Sequence, residues 1–178
     1  MRKFIIAVAV AAFATIASAN GGGGGRGPGG PGVDDHGGPG AGVIITTDGT
    51  VLVPSATTAN GVTTVTVKAI NSAGNTIWTA TLPAGARGLE VSGNVAIAET
   101  VTEATSTTSA STTLTAISLA NGTTAWTLTF DGRVADLRPF SGGTYAVVIS
   151  PAATSGATPV RTLKAISPSG AILWSITL

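Results

Sequence analysis

The chain has 178 residues, a formal net charge of +1, no cysteine and only 10% charged residues. A chain this close to neutral lacks the basic patch that nucleic-acid binding requires, and without cysteine it has neither a disulfide framework nor a lipid-modified cysteine anchor. Its stability must come from packing and strand pairing.

The first 19 residues have the pattern of a signal peptide. Arg2 and Lys3 precede a nearly unbroken apolar run over residues 4–16, and the next three residues, Ala-Ser-Ala, match an A-x-A cleavage site. The alternative is a membrane anchor, but a span needs about 20 apolar residues, and this run is shorter. We therefore predict that residues 1–19 are removed. The mature protein is then exported to the periplasm or the cell exterior, with no stable membrane span.

Residues 20–42 form a glycine-rich segment of low complexity. Such a segment has too few apolar side chains to offset its ordering entropy, so we predict a disordered linker. It contains the only histidine, His36, directly after Asp34 and Asp35. Because nothing pre-organises these three side chains as ligands, we interpret them as a solvated polar patch and predict no metal site.

From residue 43 the chain is β in character, since Thr, Val and Ile dominate and helical periodicity is missing. Asp48-Gly49 between two apolar runs is a hairpin turn signal. The alternation of apolar and polar residues predicts four short strands within residues 43–82. The same plan fits residues 88–130 and 135–178.

One phrase recurs three times in this β region. Its tryptophans lie 48 residues apart, and each follows an alanine and a turn glycine. A period of this length indicates stacked supersecondary units, none of which buries its apolar face alone. The repeated positions are Trp78, Trp126 and Trp174; Gly74, Gly122 and Gly170; and Ala69, Ala116 and Ala165.

We expect these nine residues to have structural roles. The tryptophans should be equivalent core positions that fill the space between neighbouring sheets, because a large aromatic side chain buries the most area there. The alanines are small and allow the next sheet to approach, and the glycines supply the positive φ of a turn.

Four antiparallel strands in a unit of this length are typical of a β-propeller blade; a β-sandwich with a duplicated hairpin is the alternative. The phrase Leu163-Lys164-Ala165-Ile166-Ser167, followed by Gly170 and Leu173-Trp174, resembles the repeat of PQQ-like, or quinoprotein-type, propellers. The sequence departs from that repeat where the family has aspartate, at Asn71, Ser118 and Ser167. The resemblance implies an all-β fold of about three propeller-like blades.

The resemblance also implies two kinds of function. Catalytic members of the family use a complete ring, an adjacent cysteine pair and a calcium site, and this chain has no cysteine. Other members are non-catalytic scaffolds. A Ser-His-Asp triad is also impossible in the β region, because no histidine follows His36. We therefore expect an exported, non-catalytic scaffold for binding or assembly, with no catalytic, metal or cofactor site. The alternatives are a remnant or subunit of a PQQ-dependent dehydrogenase, and a structural component of a cell surface or fibre.

Three blades are few, because common propellers close with about four to eight. The β region is therefore an open arc, an unusually small ring or half of an assembly. An open arc exposes the outer faces of its first and last sheets, and apolar patches on such faces normally mark a partner site. We predict binding of a protein partner, or self-association, through the open blade faces. Two chains joined head to tail would make six blades.

Overall fold

The structure is a computed structural model that describes residues 42–151 and 158–178. These residues contain twelve β-strands and no helix. Within these two ranges, therefore, no helix is long and apolar enough to cross a membrane. The predicted signal peptide and nearly all of the predicted glycine-rich linker, including His36, lie outside the described residues.

The strands form three four-stranded sheets, and in each sheet they pair antiparallel in chain order. The prediction of an all-β fold built from three such units is confirmed. Sheet one contains β1 (Ile44–Ile45), β2 (Val51–Ala59), β3 (Val62–Ile70) and β4 (Thr76–Thr81). Sheet two contains β5 (Ala86–Ser92), β6 (Val95–Thr102), β7 (Ser111–Ser118) and β8 (Thr124–Asp131). Sheet three contains β9 (Arg133–Phe140), β10 (Gly143–Ser150), β11 (Val160–Ile166) and β12 (Ile172–Thr177).

The connections between the sheets are very short. Residues 82–85 lead from β4 to β5, and Gly132 alone leads from β8 to β9. Gly132 has φ of 98°, and a Cβ added there would lie 2.1 Å from the carbonyl oxygen of Ile149. Only glycine fits this crossing, where Asp131-Gly132 carries the chain from one sheet into the next.

The longest hairpin joins β2 to β3. Its turn is Asn60-Gly61, with φ of 52° and 75°, and two positive φ values match the twist of a tight hairpin. Beyond the core the hairpin is exposed, and threonine hydroxyls pair across it, with 2.9 Å between Thr58 and Thr63. It extends sheet one well past the apolar part of its strands.

The core consists of two apolar clusters, one between sheets one and two and the other between sheets two and three. Strand alternation sends one set of side chains to each face, so sheet two contributes to both clusters. The sheets thus stack in chain order, but the stack does not close into a ring. The buried members of the first cluster are Leu52, Val65, Val67, Ala69, Trp78, Ala80, Leu82, Ala86, Ala96, Ala98 and Ile117. Those of the second are Val95, Ile97, Leu114, Ala116, Phe130, Val134, Leu137, Ala146, Val148 and Ile166.

Candidate interaction surfaces

Each repeated tryptophan lies directly across from a repeated alanine in the same sheet. The pairs are Ala69 with Trp78, Ala116 with Trp126, and Ala165 with Trp174. In all three sheets the register shifts by one residue immediately beyond this pair. The extra residue is a β-bulge, a feature that re-aims the neighbouring side chains. The fully buried alanine leaves room for the indole on its face of the sheet.

The first tryptophan is held by sheet two. The indole nitrogen of Trp78 donates a hydrogen bond of 2.8 Å to the carbonyl of Leu119. Its ring lies against Gly122, where an added Cβ would come within 2.6 Å of the ring carbon Cε3. Leu119 and Gly122 both belong to the turn between β7 and β8. The absence of a side chain at Gly122 therefore lets the indole rest on the backbone of that turn.

The second tryptophan makes the same contact with sheet three. The indole nitrogen of Trp126 donates to the carbonyl of Pro168 at 2.9 Å. An added Cβ at Gly170 would lie 2.7 Å from the Cγ of the Trp126 ring. Pro168 is the first residue of the β11–β12 turn after Ser167, as Leu119 is the first after Ser118. One type of contact, from an indole to the next sheet's turn, therefore joins both pairs of sheets.

Sheet one has a glycine turn between β3 and β4 with the same hydrogen bonds as the turn of sheet three. Gly74 has φ of 81°, and its amide donates to the carbonyl of Asn71 at 2.9 Å. The Asn71 side chain completes the turn by accepting hydrogen bonds from the amides of Ala73 and Asn75, both at 3.0 Å. A Cβ at Gly74 would meet nothing within 4 Å. The turn is fully built, and no described residue covers it.

The outer strand of each sheet carries the tryptophan and two further apolar residues on one face, which we call the tryptophan face. In sheet one Trp78 is only 8% exposed, because sheet two covers it. In sheet three the stripe is open: Trp174 is 42% exposed, Ile176 55% and Leu178 65%. The three tryptophans are equivalent in register but not in burial. The expectation of a core position is wrong for Trp174, because no sheet follows sheet three in the described residues.

We call the opposite face of each sheet the isoleucine face. In sheets two and three this face packs against the preceding sheet. Ile117 and Ile166 lie on it in sheets two and three and are completely buried. Their counterpart in sheet one, Ile70, is only half-buried. Near it, Ile45 of β1 is 71% exposed. The isoleucine face of sheet one is thus the second apolar surface at an end of the stack.

Sequence reasoning found the tryptophans, glycines and alanines but missed their partners in the neighbouring sheets. The hydrogen-bond acceptors are the backbone carbonyls of Leu119 and Pro168, and a carbonyl leaves no mark in a sequence. The isoleucine that follows each repeated alanine was visible, as Ile70, Ile117 and Ile166. Because this isoleucine directly follows the alanine, its side chain lies on the opposite face of the strand. It was the sequence signal that could have revealed the second apolar face of each sheet.

The acidic residues of the described ranges do not converge on a site. No group of three or more His, Cys, Asp or Glu able to hold a metal ion occurs in these ranges. Glu99 instead pairs with Arg87 at 2.8 Å, and Glu103 pairs with Arg133. Within the described ranges, therefore, the carboxylates form ion pairs and do not gather into a cluster of the kind that binds calcium.

One carboxylate has a shifted pKa, but its role is local. The Thr46 hydroxyl donates to Asp48 in the β1–β2 turn, and the Thr50 amide donates to the same oxygen at 3.2 Å. These hydrogen bonds, that of Thr46 first, lower the pKa of Asp48 below its ordinary value of 3.8 because they favour the charged form. Asp48 therefore stabilises a turn.

No protein-family model matches the chain, and no curated protein matches it in sequence.

Proposed function

We propose that the chain is an exported, non-catalytic scaffold of propeller-like blades that works by binding protein at the ends of its stack of sheets. One observation carries the proposal. The stripe of Trp174, Ile176 and Leu178 is open to solvent, whereas the same stripe in sheet one is buried beneath the next sheet. Neighbouring apolar side chains on one open sheet face are typical of a protein interaction site.

The kind of partner follows from how the equivalent stripes are already covered. Within the chain each tryptophan face is covered by a β-sheet whose turn offers one carbonyl to the indole nitrogen. A tryptophan has an apolar ring and a single N–H donor. It therefore suits a partner that offers an apolar sheet face and a backbone carbonyl. The partner class is therefore a β-sheet protein with an apolar face and a glycine-containing turn.

The membership of the PQQ-like family remains a proposal, and it is supported by the blade-like sheets together with the recurring alanine, glycine and tryptophan. Export remains a proposal as well, and it is supported by the pattern of residues 1–19. The partner-binding surface depends on neither property, because it is formed by sheet three alone.

Photo-crosslinking in the source cell tests the proposal. A photoreactive aromatic residue replaces Trp174 on the tryptophan face of sheet three, and the matched control carries it at Thr177, on the opposite face of the same strand. We expect discrete protein adducts from position 174 and few or none from position 177. Equal or absent crosslinking at the two positions would show that the open face is not a binding site.

A further inference from the structure

The two ends of the stack are complementary to each other. Sheet three offers a tryptophan face without a covering sheet, and sheet one offers an isoleucine face and an uncovered glycine turn. These are the two halves of the contact that already occurs twice inside the chain. From this we infer that sheet three of one copy docks on sheet one of a second copy. The inference rests on the proposed function and specifies the partner as the protein itself.

The hydrogen-bonding groups match. No described residue accepts a hydrogen bond from the indole N–H of Trp174, and none donates to the carbonyl of Ser72. Ser72 follows Asn71 as Leu119 follows Ser118 and Pro168 follows Ser167, so its carbonyl holds the acceptor position of the β3–β4 turn. Docking Trp174 of one copy on this turn of another would repeat the bonds of 2.8 and 2.9 Å within the chain.

The shapes match as well. The indoles of Trp78 and Trp126 rest where the Cβ atoms of Gly122 and Gly170 would otherwise be. At Gly74 the same space is open, with nothing within 4 Å of an added Cβ. An indole from a second copy therefore has a place to rest on sheet one without any rearrangement of the turn.

The isoleucine face of sheet one carries the right apolar residues. Val51 and Val53 hold the positions of Ala96 and Ala98 in sheet two, as the register with β3 and β7 shows. Those two alanines are fully buried against sheet one. Ile45 pairs with Val51 across the sheet and therefore shares its face.

The single cation on this face is compatible with docking. Lys68 lies at the position of Lys164 in sheet three. Lys164 is accommodated between sheets two and three, with its ammonium nitrogen 5.9 Å from the centre of the Phe130 ring. Its ammonium group also donates a hydrogen bond to the Ser175 hydroxyl, across the same sheet, at 3.0 Å. Lys68 can take the same course against the next copy.

The contact joins different faces of the two copies, so it is head to tail and not symmetric about one patch. A pair of chains that makes this contact twice would contain six sheets. Six lies within the usual range of about four to eight blades for a closed propeller. The expected assembly is therefore a ring of two copies held by two identical joints.

Sedimentation of the purified exported protein, with two blocking variants, tests the inference. Ile176→Lys places a charge on the tryptophan face of sheet three, and Ile45→Lys places one on the isoleucine face of sheet one. Both side chains are exposed in the single chain, so folding should be preserved, which circular dichroism checks. The matched controls are Thr177→Lys and Thr47→Lys, at exposed positions away from the proposed contacts.

We expect the wild type and both controls to sediment at twice the chain mass, and each blocking variant to weaken association about tenfold or more. A mixture of the two blocking variants should recover a two-chain species, because one intact joint remains between an unblocked sheet three and an unblocked sheet one. A wild type that stays a single chain at high concentration would overturn the inference. So would a dimer that Ile176→Lys abolishes but Ile45→Lys leaves intact, because that dimer joins two tryptophan faces. Crosslinks from position 174 to a different protein would, in either case, leave the proposed function standing.

Discussion

At the scale of single residues, the surroundings of each tryptophan depend on its place in the stack. Trp78, Trp126 and Trp174 share their cross-strand alanine and the bulge beside it. They differ in how far a neighbouring sheet covers them, because the covering sheet comes from the following repeat. The sequence predicted that the three residues occupy equivalent positions, since the repeated phrase around each of them is a local signal. It could not predict their unequal burial, because burial depends on the neighbouring unit.

Truncating the tryptophans should reveal this gradient. Trp78→Ala removes an almost fully buried indole together with its hydrogen bond, and should destabilise the protein by about 3–5 kcal/mol. Replacing Trp126, which is half-buried, with alanine should destabilise the protein somewhat less. Trp174→Ala should destabilise the protein least in dilute solution, where the single chain prevails. Chemical denaturation at low protein concentration measures all three, and equal losses would contradict the observed packing.

A second prediction at this scale concerns pH. The folded state lowers the pKa of Asp48, so the ionised form stabilises the β1–β2 turn. This contribution is complete above the unfolded pKa of about 4 and is lost as the pH falls through the lower folded pKa. Asp48→Asn removes the titration. The wild type should therefore be the more stable at pH 7, and the difference in melting temperature should shrink near pH 3. A difference that grows in acid would contradict this assignment.

At the scale of strands and turns, most of the fold was predictable because side-chain alternation is a local signal. The strands of the repeats lie where the alternation placed them, although β5 begins at Ala86 and β9 at Arg133, each two residues before its predicted unit. The long β2–β3 hairpin was not foreseen in full, because its outer half is polar threonine on both faces. Asn60-Gly61 was the signal that marked its turn.

The turn glycines provide a matched pair of substitutions. Gly122→Ala and Gly74→Ala both place a side chain at positive φ, which costs about 1–2 kcal/mol in each case. Only at Gly122 would the new Cβ collide with an indole, that of Trp78. Gly122→Ala should therefore be clearly the more destabilising in the single chain, as thermal denaturation of dilute samples would measure. Equal effects would mean that the indole does not rest on this turn.

At the scale of the whole molecule, the repeat period predicts how many sheets there are but not how the stack ends. Closure depends on the small rotation between successive sheets, and no motif encodes that angle. The sequence therefore left open an arc, a small ring or half of an assembly. The structure shows an open stack of three sheets with two apolar ends. The repeat pattern therefore did not predict the geometry of the two ends of the stack, which are the candidate interaction surfaces.

A crystal structure of the associated protein tests the central claim most directly, because it places the open tryptophan face in its complex. We predict that the indole nitrogen of Trp174 lies about 2.9 Å from the Ser72 carbonyl oxygen of a second copy, with its ring over Gly74 of that copy. This geometry would reproduce the contacts of Trp78 and Trp126 within the chain. An associated form in which Trp174 remains in solvent, or in which copies join through other surfaces, would contradict it.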